Sequence, residues 1–184
     1  MNITPQSISD VLLIEPTVHG DSRGYFMESF RQDFLNDFLG YELNFIQDNE
    51  SKSSRGVLRG LHYQVPPSSQ AKLVRVIMGR VLDVVVDIRQ SSPTFGQYLS
   101  KELSSDNHQQ LFIPRGFAHG FVVLSESAIF AYKVDNHYSP DDERGIAYND
   151  KEIGIDWMFK STDLQLSEKD KFHPVLSDAK DLFD

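Results

Sequence analysis

Apolar residues along this chain either alternate with polar ones or gather in short β-branched blocks, the signature of strands rather than helices. Residues 73–78 and 81–88 are two such blocks separated by Gly79-Arg80, and they read as two strands of a hairpin joined by a two-residue turn. Residues 128–134 form a further strand, and residues 117–124 another, entered through a turn at Pro114-Arg115-Gly116. Residues 57–64 are also extended and stop at Val65-Pro66-Pro67, where helix and central strand are both disfavoured. Helical spacing is confined to Phe30, Phe34, Leu35, Phe38 and Leu39, with Gly40 placed as a C-terminal stop. Ser167 followed by Asp170 resembles a capping box that opens a short C-terminal helix. Many short strands punctuated by Gly, Pro and Asn predict an all-β-dominated sandwich or barrel with short peripheral helices, and its interior is where a ligand would sit.

Length and composition narrow the functional classes. The 184 residues suit a single domain, 1–184, with no internal repeat or linker. Apolar residues are 40% and charged residues 24%, as in ordinary globular proteins. No apolar run approaches the ~20 residues that cross a bilayer, and the first residues lack the basic and apolar blocks of a signal peptide. With no cysteine there are no disulfides or thiolate metal sites, so a cytoplasmic protein is expected. A net charge of −9 argues against nucleic acid or anionic lipid as partners. An anionic small ligand would need a local cationic cluster, for which Arg23, Arg59, Lys72, Arg115 and Lys169 are the candidates.

Six histidines are present, and each could act as a base near neutral pH. His62 and His119 stand apart because both lie in apolar, strand-like segments beside glycine, Gly60-Leu61-His62 and Ala118-His119-Gly120. Satisfied core histidines are the plain alternative. A metal site is disfavoured: Gln64 stands two residues beyond His62, no acid follows, and the ligand set is short of partners. Tyr132 shares its strand face with Phe130 and Val134, a packing position whose hydroxyl still needs somewhere to point. Lys72 shares a face with Val74 and Val76, and at a strand end it would ordinarily reach solvent. Regular alternation puts Arg59 and His62 on opposite faces, so both can serve one cavity only if Gly60 hosts a bulge or bend. An irregularity is predicted there.

Taken in order, several segments resemble the dTDP-4-dehydrorhamnose 3,5-epimerase family. They are Asp21-Ser22-Arg23-Gly24-Tyr25-Phe26-Met27-Glu28, Gln47-Asp48-Asn49-Glu50-Ser51 and Val57-Leu58-Arg59-Gly60-Leu61-His62-Tyr63-Gln64. Further along come Lys72-Leu73-Val74-Arg75-Val76, Pro114-Arg115-Gly116-Phe117-Ala118-His119-Gly120-Phe121, Tyr138-Ser139-Pro140, Glu143-Arg144-Gly145-Ile146 and Leu166-Ser167-Glu168-Lys169-Asp170. They span nearly the whole chain. Departures are mild: Tyr148 stands where the family often has tryptophan, His137 where tyrosine is common, and Trp157-Met158 replaces a usual Trp-Pro.

The resemblance implies a double-stranded β-helix of the cupin (jelly-roll barrel) type that needs no cofactor and no metal. It implies epimerisation at C3 and C5 of a dTDP-linked 4-keto-6-deoxyhexose, by proton removal α to the C4 ketone and return from the opposite face. His62 would be the base, oriented by Asp170, with Tyr132 the proton donor across the sugar and Lys72 beside the C4 oxygen. Arg23, Arg59 and Lys169 would hold the diphosphate or its neighbours, and Phe26, Glu28, Gln47, Asn49, His119 and Glu143 would fix the nucleotide and sugar. Tyr138 would stack on the thymine. A homodimer is implied in which N-terminal residues cross to the partner's site, so that Arg23 and Glu28 act in trans. The alternatives are an epimerase inverting C3 or C5 alone or acting on a related nucleotide-linked 4-keto-sugar, a metal-dependent cupin enzyme and a non-catalytic sugar-binding jelly roll.

Overall fold

The computed structural model describes all 184 residues. Thirteen strands and one helix follow the chain: β1 (Asn2–Pro5), β2 (Leu12–Glu15), β3 (Val18–Asp21), β4 (Gly24–Met27), α1 (Gln32–Leu39), β5 (Gln47–Ser54), β6 (Leu58–Gln64), β7 (Lys72–Met78), β8 (Arg80–Asp87), β9 (Tyr98–Ser104), β10 (Gln110–Ile113), β11 (Phe117–Val123), β12 (Ser127–Val134) and β13 (Glu143–Gly145). One six-stranded sheet has the order β1-β2-β10-β7-β12-β5, and a five-stranded sheet the order β13-β6-β11-β8-β9. From β5 to β13 the chain alternates between these sheets, apart from the β8–β9 hairpin, and all strand pairs are antiparallel. That winding is the expected cupin-type double-stranded β-helix. No helix is long and apolar enough to cross a membrane.

Apolar burial holds three layers together. Val74, Val76 and Phe130 of the six-stranded sheet meet Val81, Val85, Phe117, Phe121 and Val123 of the five-stranded one. On the other side of the five-stranded sheet, Leu82, Val84 and Val86 are covered by Ile146, Ile153, Trp157 and Leu176 of the C-terminal segment. Burial on both faces is why β8 and β11 read as near-continuous apolar runs instead of alternating. Each such side chain contributes about 1.5–3 kcal/mol relative to exposure. Helix α1 lays Leu35 over Leu12, Leu73 and Phe112 on the outer face of the six-stranded sheet, and Gly40 ends it in a left-handed conformation, as the spacing predicts.

The expected hairpin at 73–88 is not formed. Strand β7 pairs with β10 and β12, and β8 with β9 and β11, so Gly79 carries the chain from one sheet to the other. Only Gly79 separates the strands, too little to fold one back beside the other. Crossing sheets also lets Val74 and Val76 face Val81 and Val85 across the core.

The irregularity expected at Gly60 is present. His119 pairs with His62 and Phe121 with Arg59, so Gly60 and Leu61 of β6 stand opposite Gly120 alone. A Cβ on Gly60, whose φ is +138°, would lie 2.5 Å from the Gly120 Cα, and one on Gly120 would lie 2.7 Å from the Arg59 carbonyl oxygen. Only glycine fits at either position. The extra residue turns Arg59 and His62 toward the same cavity.

Candidate active site

Between the sheets, at one end of the barrel, opens a cavity of about 760 Å³. Phe121 and Phe130, stacked at 4.1 Å, form part of its wall. The five-stranded sheet supplies Arg59 and His62 from β6, His119 from β11 and Glu143 from β13. Gln47 and Asn49 from β5, Lys72 from β7 and Tyr132 from β12 enter from the six-stranded sheet. Tyr138, Lys169 and Asp170 complete it from the segments that follow β12. His62 and Tyr132 therefore reach one space from opposite sheets.

His62 is held by a carboxylate. Its Nε2 lies 2.7 Å from Asp170 Oδ1. Asp170 sits in a 3₁₀ turn, Lys169–Lys171, and its backbone N–H donates to Ser167 Oγ at 3.3 Å. The capping arrangement expected at Ser167 thus forms on one side only: the Asp170 carboxylate turns inward to His62 instead of closing the box. Burial alone would raise the carboxyl, but His173, His62 and Ser167 on the other side prevail and hold it well below the usual range. Asp170 is an anion at neutral pH. Since His62 Nε2 is committed to it, Nδ1 is the ring nitrogen left for proton transfer.

Tyr132 keeps its proton, because burial pushes the phenol above its usual range while Arg59 only partly offsets the shift. Lys72 departs from the solvated strand-end position. Burial draws it down to about 8, against the pull of Asp135 and Glu143, and its Nζ donates to Gln70 Oε1 at 3.1 Å. Around the mouth, Lys169 Nζ donates to both Glu143 oxygens at 2.8 Å, and the Tyr138 hydroxyl donates to Glu143 Oε2 at 3.0 Å. Gln47 Nε2 donates to Asn49 Oδ1 at 2.8 Å, and Arg59 Nε to Ser53 Oγ at 3.1 Å.

Arg59, Lys72 and Lys169 make the cationic cluster that an acidic chain needs in order to hold an anion. Arg115 is not part of it; its guanidinium pairs with Asp135 at 2.9 Å. Arg23, Phe26 and Glu28 also lie outside the cavity of their own chain. Arg23 and Phe26 belong to the β3–β4 ribbon, which pairs with no other strand, and the Arg23 side chain is 88% exposed and tied to Asp21.

Two groups escaped the sequence. His173 stands with Nε2 3.5 Å from Asp170 Oδ1, its ring packed where a Cβ on Gly145 would intrude at 2.5 Å. His62, Asp170 and His173 are the one trio of such donors close enough to hold a cation, all within 4.8 Å of one another. The other is Asp83 of β8, whose Oδ2 lies 2.9 Å from His119 Nε2. Its signal was an acid at the inward-facing parity of an apolar strand, between Val81 and Val85.

A family model described as dTDP-4-dehydrorhamnose 3,5-epimerase matches residues 5–178. The dTDP-4-dehydrorhamnose 3,5-epimerase of Shigella flexneri is 54% identical over 170 residues, 92% of this chain and 93% of its own. That of Salmonella typhimurium is 51% identical over 179 residues, 97% of each chain. Among solved structures, the dTDP-6-deoxy-D-glucose-3,5-epimerase of Legionella pneumophila, in complex with dTDP-4-keto-L-rhamnose, superimposes with a TM-score of 0.94 at 48% identity, covering 99% of this chain and 97% of that one. The chain therefore belongs to the dTDP-4-dehydrorhamnose 3,5-epimerase family.

Proposed function

We infer that this protein is an isomerase that inverts C3 and C5 of dTDP-4-dehydro-6-deoxy-D-glucose, giving dTDP-4-dehydro-L-rhamnose without a cofactor. One arrangement supports this function above all: a carboxylate-held imidazole on one sheet and a protonated phenol on the other, sharing one cavity with a half-buried ammonium. Protons α to a ketone can be removed by a modest base when the enolate oxygen is stabilised and water is kept out. His62 Nδ1 takes the proton from carbon, and Asp170 stabilises the imidazolium that forms. Lys72 meets the negative charge that develops on the C4 oxygen. Tyr132 delivers a proton to the opposite face, which is what inverts the centre. Arg59 and Lys169 bind the diphosphate, with the Glu143 contact to Lys169 exchanged for it. Gln47, Asn49 and His119 hold sugar and nucleotide, and Tyr138 stacks on the base.

The β3–β4 ribbon is assigned to a homodimer, in which Arg23, Phe26 and Glu28 reach the partner's cavity. Its exposed Tyr25 and Phe26, 60% and 67% accessible, suit burial against a second copy. The cytoplasm is the proposed compartment, as the cysteine-free composition suggests.

Incubation with the dTDP-linked 4-keto sugar in D₂O tests the reaction. Deuterium is expected at both C3 and C5. Label at one carbon alone would reduce the activity to mono-epimerisation, and no label at either would remove the epimerase assignment.

A further inference from the structure

A second histidine–carboxylate pair adjoins the cavity, with His119 on its wall and Asp83 buried behind, and its surroundings differ from those of His62 and Asp170. Asp83 is completely buried, and His119 Nε2 is its only hydrogen-bond partner. Its other oxygen, Oδ1, is buried with no partner. Asp87, four residues further along β8, shows what this fold provides for an ionised carboxylate. It accepts from the Arg89 backbone N–H, Nε and Nη2 and from the Ser92 and Thr94 hydroxyls. Burial raises the Asp83 carboxyl above its usual range despite His119, whereas the donors around Asp87 overcome burial and bring it down to about 2.

No other charge compensates Asp83. Lys101 of β9 is its register partner and forms no ion pair with it. Neither Arg59 nor His62 from β6, Lys72 from β7 or Tyr132 from β12 contacts its carboxylate. Phe130 stacks on the His119 ring at 6.1 Å and brings no charge.

We propose that Asp83 and His119 jointly retain one proton at neutral pH, so that His119 offers Nδ1–H to the cavity as a fixed hydrogen-bond donor, with Asp83 as its positioning residue. Three protonation states are possible. A bare carboxylate beside a neutral ring leaves a buried anion with a single hydrogen bond, which is costly. A neutral acid donating from Oδ2 to Nε2 forces the ring proton onto Nδ1. A carboxylate–imidazolium pair has protons on both nitrogens. Both affordable states therefore place a hydrogen on Nδ1, wherever the shared proton sits. Nδ1 has no partner in the protein, and it is not among the sealed, unpartnered atoms, so it stays open to a ligand. The two histidines thus have opposite roles. His62 beside ionised Asp170 accepts a proton, whereas His119 beside Asp83 gives a hydrogen bond. On the epimerase function inferred above, on which the ligand's identity rests, its acceptor is an oxygen of the keto-sugar.

Nitrogen NMR of ring-¹⁵N-histidine protein, free of ligand, tests this directly, with His119→Gln to assign the signal. The His119 Nδ1 is expected to be protonated throughout pH 6–8; an unprotonated Nδ1 at pH 7 overturns the proposal. Substitution supplies a second readout. Asp83→Ala is expected to lower kcat at least ~10-fold, and Asp83→Asn to recover most of that loss. The amide prefers to give its NH₂ to Nε2, because an orphaned carbonyl is tolerated better than an orphaned N–H, and the ring proton then stays on Nδ1. A folded Asp83→Asn no better than Asp83→Ala also overturns it. Because the spectrum needs no substrate, it holds or fails independently of the D₂O experiment, and it decides the matter if a variant does not fold.

Discussion

Replacing Asp170 by asparagine keeps the side-chain volume and removes the charge opposite His62. Their contact atoms are 2.7 Å apart, and the Asp170 side chain is only 3% exposed. With charge centres roughly 4 Å apart and an effective dielectric near 20, the imidazolium–carboxylate attraction is about 4 kcal/mol. His62 is 26% exposed, and solvent screening brings this to about 2–3 kcal/mol. Since 1.36 kcal/mol is a factor of ten, kcat is expected to fall ~10²-fold. KM should change less than about threefold, because the carboxylate faces the imidazole. Stability should respond with a definite sign. A carboxyl whose folded pKa is depressed contributes stability above its unfolded value near ~3.9, and that contribution disappears as pH falls through the folded value. Asp170→Asn should therefore melt below wild type at pH 7, by ~2–4 °C per kcal/mol, with the gap closing below about pH 4. The assays are steady-state epimerisation and thermal melts at both pH values. A kcat within threefold of wild type, with equal melting at pH 7, would refute the reasoning.

Other substitutions probe the remaining parts. Tyr132→Phe removes the donor and leaves the base, so inversion should fall at least ~10²-fold while deuterium wash-in falls less; equal losses would put the phenol outside the proton path. Lys72→Met should lower kcat by at least ~10²-fold yet raise stability at pH 7, since the fold draws this ammonium down to about 8 and so destabilises its charged form. By the same sign, wild-type stability should gain as pH rises from 8 toward 10.5, and this gain should be absent in Lys72→Met. Gly60→Ala, which must hold a Cβ 2.5 Å from the Gly120 Cα, should cost at least ~2 kcal/mol and lower Tm by about 4–8 °C; an unchanged melt would deny that the bulge depends on glycine.

The local pattern of the chain determined most of its elements. The apolar blocks that became β6, β7, β8, β11 and β12, the Gly40 helix stop and the Gly60 irregularity follow from short-range sterics and from which faces must be buried, and both are written in neighbouring residues. The order of the family-like segments likewise carried the composition of the cavity, from Gln47 to Asp170. Partnership across the fold was decided only in three dimensions. Gly79 joins two strands of different sheets, because a turn residue specifies a change of direction and not which strand lies alongside. The resemblance named Asp170 as the partner of His62, 108 residues away, but only the closed fold showed Asp83 reaching His119 across 36. The sequence could say that each carboxylate was present. It could not say that one would be surrounded by partners that keep it ionised and the other left with a single imidazole. That difference comes from burial and from counting hydrogen bonds, which exist only once the two sheets have closed on each other.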